Sequence, residues 1–102
     1  MKAPESISHP MQTVPLPEVL DLAAASPLTD RLLAARGADL TIDASQVSRL
    51  GGQCLQVLLA AAKTWSADRA AFEISEPSHE FVEALTRFGI EPGVFAMREP
   101  TP

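Results

Sequence analysis

The sequence predicts one α/β domain, with a mixed sheet of four or five strands and helices packed mainly on one face. Three observations carry this. Apolar residues alternate with polar or small ones in Leu40, Ile42 and Ala44 and again in Phe72 and Ile74, the period of a strand. Leu28, Leu32 and Ala35, then Cys54, Leu58, Ala61 and Trp65, then Phe81, Leu85 and Phe88, recur at three and four, the period of a helix. The length of 102 residues, with 46% hydrophobic, suits a single packed core. Strands alternating with helices argue a sheet covered by its crossovers.

Residues 1–10, with Pro4 and Pro10 and no periodicity, read as a flexible N-terminal tail. The domain proper spans 11–97, and residues 98–102 form a C-terminal tail. Met11 to Leu16 is a strand that Pro15 confines to an edge. Glu18-Val19-Leu20 forms a short second strand, paired back on the first or beside the central one. Asp21 opens a short turn. Ser26 then caps a helix from Pro27 to about Arg36, with Gly37 at its end.

Leu40 to Ala44 is the central strand. A turn through Gln46-Val47-Ser48-Arg49 leads to Gly51-Gly52, and a helix with a wide apolar face runs from Gln53 to Trp65. Ser66-Ala67-Asp68 ends it. Ala70 to Ser75 is a further strand, with Glu73 on its less covered face. Ser75 caps the last main helix, Gly89 ends it, and Ile90 supplies the contact of a Schellman motif. Glu91-Pro92-Gly93 turns the chain into a short last strand, Val94 to Met97.

The formal net charge is −5, the isoelectric point is about 4.8, and Lys and Arg together number 8. No basic cluster exists, so the sequence predicts no nucleic-acid partner and no attraction to an anionic membrane surface. A protein partner remains. Cys54 is the single cysteine, so no intrachain disulfide forms. No stretch resembles a signal peptide, and no apolar run reaches the roughly 18 residues of a membrane span. The expectation is a soluble cytoplasmic protein with no direct membrane insertion.

No catalytic set is legible. Cys54 falls on or beside the apolar helix face and reads as a small core residue. His9 and His79 are distant from it in sequence, and two histidines with one cysteine do not make a metal site. Gly51-Gly52 lacks both the spacing and the lysine of a phosphate-binding loop, so no cofactor is expected. Asp43 caps the loop after the central strand, and Trp65 lies at the edge of the core. What remains is recognition at the start of the central helix. Free N–H groups and a partial positive charge point outward there, and Ser48, Arg49, Gln53 and Gln56 cluster around Gly51 and Gly52.

The central motif resembles the STAS domain, the fold of anti-sigma factor antagonists and of cytoplasmic domains in sulfate transporters. Asp43-Ala44-Ser45-Gln46-Val47 is similar to that family's Asp-Leu-Ser-x-Val. Leu50 takes the place of an apolar residue, and Gly51-Gly52-Gln53-Cys54-Leu55 stands where Asp-Ser-Ser-Gly-Leu would be. Leu20-Asp21 before Pro27 and Phe88-Gly89-Ile90 also match, so the likeness spans Thr13 to Ile90. In overall character the chain is loosely similar to small STAS proteins of bacterial chemotaxis gene clusters.

The resemblance implies a non-enzymatic signalling module. Its partner would be a histidine-kinase-like ATPase, an anti-sigma factor or a chemotaxis component, docked on Ser48, Arg49, Gly51, Gly52, Gln53 and Gln56. The family's phosphoserine position is Gln53, which has no hydroxyl, and the acidic position is Gly51. Phosphorylation at the usual position is therefore not expected, and Ser45 and Ser48 are the alternative phosphosites. Two other readings stand beside this one. One is a STAS subunit of a lipid-transporting ABC complex that docks on its ATPase. The other is a purely structural homo-oligomeric subunit. The expected state is a monomer or weak dimer.

Overall fold

The computed structural model describes residues 11–98. The tail expected over 1–10, and 99–102 of the tail expected over 98–102, lie outside the described residues. Along the chain come β1 (Met11–Pro15), β2 (Val19–Leu20), a 3-10 turn (Leu22–Ala24) and α1 (Ala25–Ala34). Then follow β3 (Asp39–Asp43), β4 (Arg49–Leu50), α2 (Gly52–Ala67) and β5 (Phe72–Ser75). The last elements are α3 (His79–Arg87), a second 3-10 turn (Pro92–Val94) and β6 (Ala96–Arg98).

Four strands form one sheet in the order β1-β3-β5-β6, and β2 pairs with β4 in a separate two-stranded sheet. The mixed architecture is this four-plus-two division rather than a mixture of strand directions, for every described pairing is parallel. The reason lies in the connections. Each step across the four-stranded sheet passes through a helix, and parallel neighbours need such a crossover. Because the order advances one way, right-handed crossovers set the helices on one face.

That face holds the core. The row Val14, Ile42, Ile74 and Met97 runs across it in register. Leu28 and Leu32 of α1, Leu55, Leu58 and Trp65 of α2 and Phe81 and Leu85 of α3 pack against it in one cluster. The opposite face carries Thr13, Thr41, Glu73 and Ala96 in register. No described helix covers these residues, and the polar Thr13, Thr41 and Glu73 match that position. Thr41 is nevertheless buried, and its hydroxyl donates to Met11 Sδ at 3.2 Å.

Several boundaries differ from expectation, each for a local reason. Val19 and Leu20 pair with Arg49 and Leu50, not with the first or the central strand. The Glu18 carbonyl draws the loop there, accepting from Ser48 N–H at 2.8 Å and Arg49 N–H at 3.1 Å. Ser26 does not cap α1, which starts at Ala25 directly from the 3-10 turn that Asp21 caps through its Oδ1. Pro27 is accommodated because a first-turn N–H has no helical acceptor.

Ser75 belongs to β5, and Ser78 caps α3. Glu76 has φ +49 and Pro77 follows it, so the helix cannot begin earlier. The last strand sits later than Val94, after the 3-10 turn.

Other expectations hold. Pro15 lies on an edge strand. Gly89 has φ +75, and Ile90 N–H donates to the Leu85 carbonyl at 2.9 Å, closing the Schellman motif. At the far end of α2, Arg36 makes a two-bond ion pair with Asp68, at 2.8 and 3.1 Å. This hydrogen-bonded guanidinium holds the Asp68 carboxyl below its usual range. The pair is exposed and adds little stability.

Trp65 is a core residue. Its indole Nε1 donates to the buried Ala38 carbonyl at 2.8 Å, and its ring lies 5.7 Å from that of Phe72. Trp65→Phe removes the donor and leaves that carbonyl unpaired. The expected loss is about 1–3 kcal/mol, read as a lower urea midpoint by circular dichroism with an unchanged slope. An unchanged midpoint would contradict this account of the α2 C-terminus.

Candidate functional site

The start of α2 is built by the smaller sheet. β4 brings the chain in beside β2, with Leu50 buried and Arg49 exposed. Gly51 then turns into the helix with φ −89° and ψ 166°, and its N–H donates to the Leu20 carbonyl at 2.8 Å. A β-carbon on Gly51 would stand 3.2 Å from that same oxygen. Glycine is favoured here by this close approach and not by its dihedrals. Gly52, one residue earlier than expected, is the first helical residue. A β-carbon there would meet the Phe88 ring at 3.7 Å, an ordinary contact.

No side chain caps α2, and no acidic residue lies in its first turn. Its leading N–H groups and positive dipole end are therefore offered outward. Around them Ser48, Arg49, Gly52, Gln53 and Gln56 are exposed, and Gly51 is half-buried beneath them. Gln53 and Gln56 share a helix face at three residues' spacing. Arg49 makes no ion pair among the described residues.

The hydroxyls nearby are already engaged or shielded. Ser48 Oγ donates to the Glu18 carbonyl at 3.0 Å. Ser45 is half-buried, and its N–H donates to Asp43 Oδ1 at 2.9 Å, so Asp43 caps its loop as expected.

Phe88 was expected to continue the apolar stripe of α3. It stands instead at the helix C-cap, 45% exposed, with its ring beside Gly52. Leu22, which follows the Asp21 that lies beside Gly51, is 71% exposed. Phe88 thus places an exposed apolar ring beside the polar cluster, and Leu22 is a second exposed apolar residue next in the chain to Asp21. The signal for Phe88 was present in the sequence: a residue directly before a C′ glycine sits where the helix is already leaving the core.

Cys54 faces inward and is fully buried. Its thiol donates to the Asp21 carbonyl at 3.3 Å. Burial, with a smaller contribution from the Asp21 charge, pushes its pKa up, so it stays a protonated thiol and not a nucleophile. Among the described residues no group of three or more His, Cys, Asp or Glu is placed to hold a metal. Among the same residues no helix is long and apolar enough to cross a membrane. A separate open groove of about 180 Å³ lies between α1 and α2, lined by Thr29, Leu33, Val57, Ala60 and Thr64 among others.

The two glycines make different predictions. Gly51→Ala forces a β-carbon against a hydrogen-bonded backbone oxygen and costs about 1–3 kcal/mol. Gly52→Ala gains about 0.4–1 kcal/mol by restricting the unfolded chain. Urea denaturation of both variants measures this, and equal effects would contradict the geometry.

A family model described as "Mlab, STAS domain" matches residues 6–97 of the chain. No curated protein matches it.

Proposed function

The chain belongs to the STAS domain family, a non-catalytic family of regulatory and protein-interaction modules, and on that premise we propose that it docks a protein partner through the start of α2. The surface is Ser48, Arg49, Gly51, Gly52, Gln53 and Gln56, with Phe88 as its apolar border. The partner is a component of bacterial signalling: a histidine-kinase-like ATPase, an anti-sigma factor or a chemotaxis protein. The module works in the cytoplasm, as a monomer or weak dimer.

The carrying observation is the uncapped helix start, ringed by exposed long polar side chains and backed by a glycine pair. Backbone N–H groups donate to a partner carboxylate or carbonyl there, and Gly52 adds no bulk above them. Residue 53 is not a phosphate switch, because glutamine has no hydroxyl. If phosphate regulates this surface, Ser45 or Ser48 carries it. At exposed Ser48 the added charge would replace the hydroxyl's bond to the Glu18 carbonyl, beside Arg49.

A second reading uses the same surface: a STAS subunit that docks on the ATPase of a lipid-transporting ABC complex. The missing hydroxyl at residue 53 favours it, since a constitutive subunit needs no phosphate cycle. Recovery of the partner separates the two. An ABC ATPase in the membrane fraction supports the second, and a kinase, anti-sigma or chemotaxis protein supports the first.

The test is titration calorimetry with the partner recovered by pull-down from the native cell. Gln53→Glu stabilises the free domain by about 0.3–1 kcal/mol, since it adds a negative charge to the first helical turn. It weakens binding by about 2–3 kcal/mol, since the charge is unmatched in the interface. Arg49→Ala weakens binding as well. If both bind like wild type while Glu83→Arg on α3 abolishes binding, the docking surface lies elsewhere. Self-association in place of a partner would favour a structural homo-oligomer. Peptide mass spectrometry of the protein from cells reads Ser45 and Ser48 directly.

A further inference from the structure

We propose that Ser78 is a positioning residue for this surface, holding through its hydroxyl proton the loop that delivers Arg49 and the start of α2. The inference rests on the docking reading above. Ser78 Oγ accepts from Phe81 N–H at 3.1 Å, which caps α3, and donates to the Val47 carbonyl at 2.6 Å. A hydroxyl has one proton and two lone pairs, so both bonds coexist. Capping uses only the lone pair. The proton adds nothing to α3. It acts on Val47, one residue before Ser48 and two before Arg49.

The rest of the loop is held in the same manner from two sides. On the α3 side, Ser78 N–H also donates to the Ala44 carbonyl at 3.2 Å. On the other side, the Glu18 carbonyl accepts from Ser48 N–H, Arg49 N–H and Ser48 Oγ. Between the two holds the Val47 side chain is buried in the core. The chain then runs through β4 and Gly51 into α2 with no residue to spare. A shift of the Val47 carbonyl therefore passes to Arg49 and to the Leu20–Gly51 contact.

Four variants of the full chain separate the two halves of the hydroxyl. Ser78→Asp keeps an acceptor for Phe81 N–H, adds a charge favourable at a helix start, and has no proton for Val47 at neutral pH. Ser78→Gly removes the side chain at a cap position where glycine is well tolerated, without adding charge. Ser78→Thr keeps both halves, and Ser78→Ala loses both. The measurement is amide hydrogen exchange by NMR on the free proteins.

In Ser78→Asp the Ser48, Arg49 and Gly51 amides exchange about five- to tenfold faster than in wild type, while Phe81 and Val82 keep their protection. Ser78→Thr restores the loop. Ser78→Gly gives the same loop result and decides the matter if the Asp variant does not fold. Wild-type protection at 48, 49 and 51 in the Asp and Gly variants overturns the proposal. So does faster exchange spread evenly over α3 and the loop, which would make Ser78 a helix cap and nothing more. These amides are read without a partner, so failure here strikes Ser78 alone. Failure of the docking reading appears separately, in the titrations of the Gln53 and Arg49 variants.

Discussion

The Leu20 carbonyl comes to 2.8 Å from the Gly51 nitrogen, in space that a β-carbon on residue 51 would crowd at 3.2 Å. This contact joins the two-stranded sheet to the start of α2, and much of the remaining architecture follows from it. It fixes the height at which α2 begins. That places Cys54 and Leu55 against the core and leaves Gln53 and Gln56 outside. It also brings Asp21 beside the helix start, where its carbonyl takes the Cys54 thiol proton and its carboxylate caps the next turn. An acidic side chain at position 51, as in the resembled motif, would need that carbonyl to move.

The proposed docking surface is held in place by elements outside it. The loop from Ala44 to Ser48 has little regular structure of its own, yet both of its sides are hydrogen-bonded: to the cap of α3 and to the carbonyl of Glu18. The sheet supplies the base, since Ala44 N–H donates to the Ser75 carbonyl at 3.1 Å. A surface held by three separate elements loses little entropy on binding, and pre-organisation of that kind favours recognition. Apolar residues line the helix-covered face of the sheet, and the open face carries Thr13, Thr41 and Glu73. Phe88 is exposed beside the start of α2.

Much of the fold was legible in the sequence because its periods are clean. Leu40 to Ala44 and the Cys54–Trp65 stripe gave β3 and α2 directly, and Gly89-Ile90 gave the end of α3. The misses are of another kind. β4 has two residues, too few to show any period, and it forms because the Glu18 carbonyl recruits Ser48 and Arg49 from far along the chain. The sequence points to Ser75 as the cap of α3 because a serine two residues before a proline suits a helix start, and only the backbone of Glu76 moves the cap to Ser78. Strand direction was not legible from periodicity and follows from the crossovers. At the site, Gln53, Gln56 and Arg49 were readable as exposed helix-start residues. Phe88 was legible only through the C′ glycine that follows it, because apolar spacing by itself cannot say where a helix leaves the core. The second task of Ser78 depends on a tertiary contact with Val47 that no local pattern encodes.

The most direct measurement of the central claim is a hydrogen-exchange footprint of the chain with its recovered partner bound. Docking through the start of α2 is expected to add protection over residues 48–56 and at Phe88, with the open sheet face, carrying Thr13 and Glu73, unchanged. Protection centred on the α1–α2 groove at Leu33 and Val57, or on the open sheet face, with 48–56 exchanging as in the free protein, would contradict it.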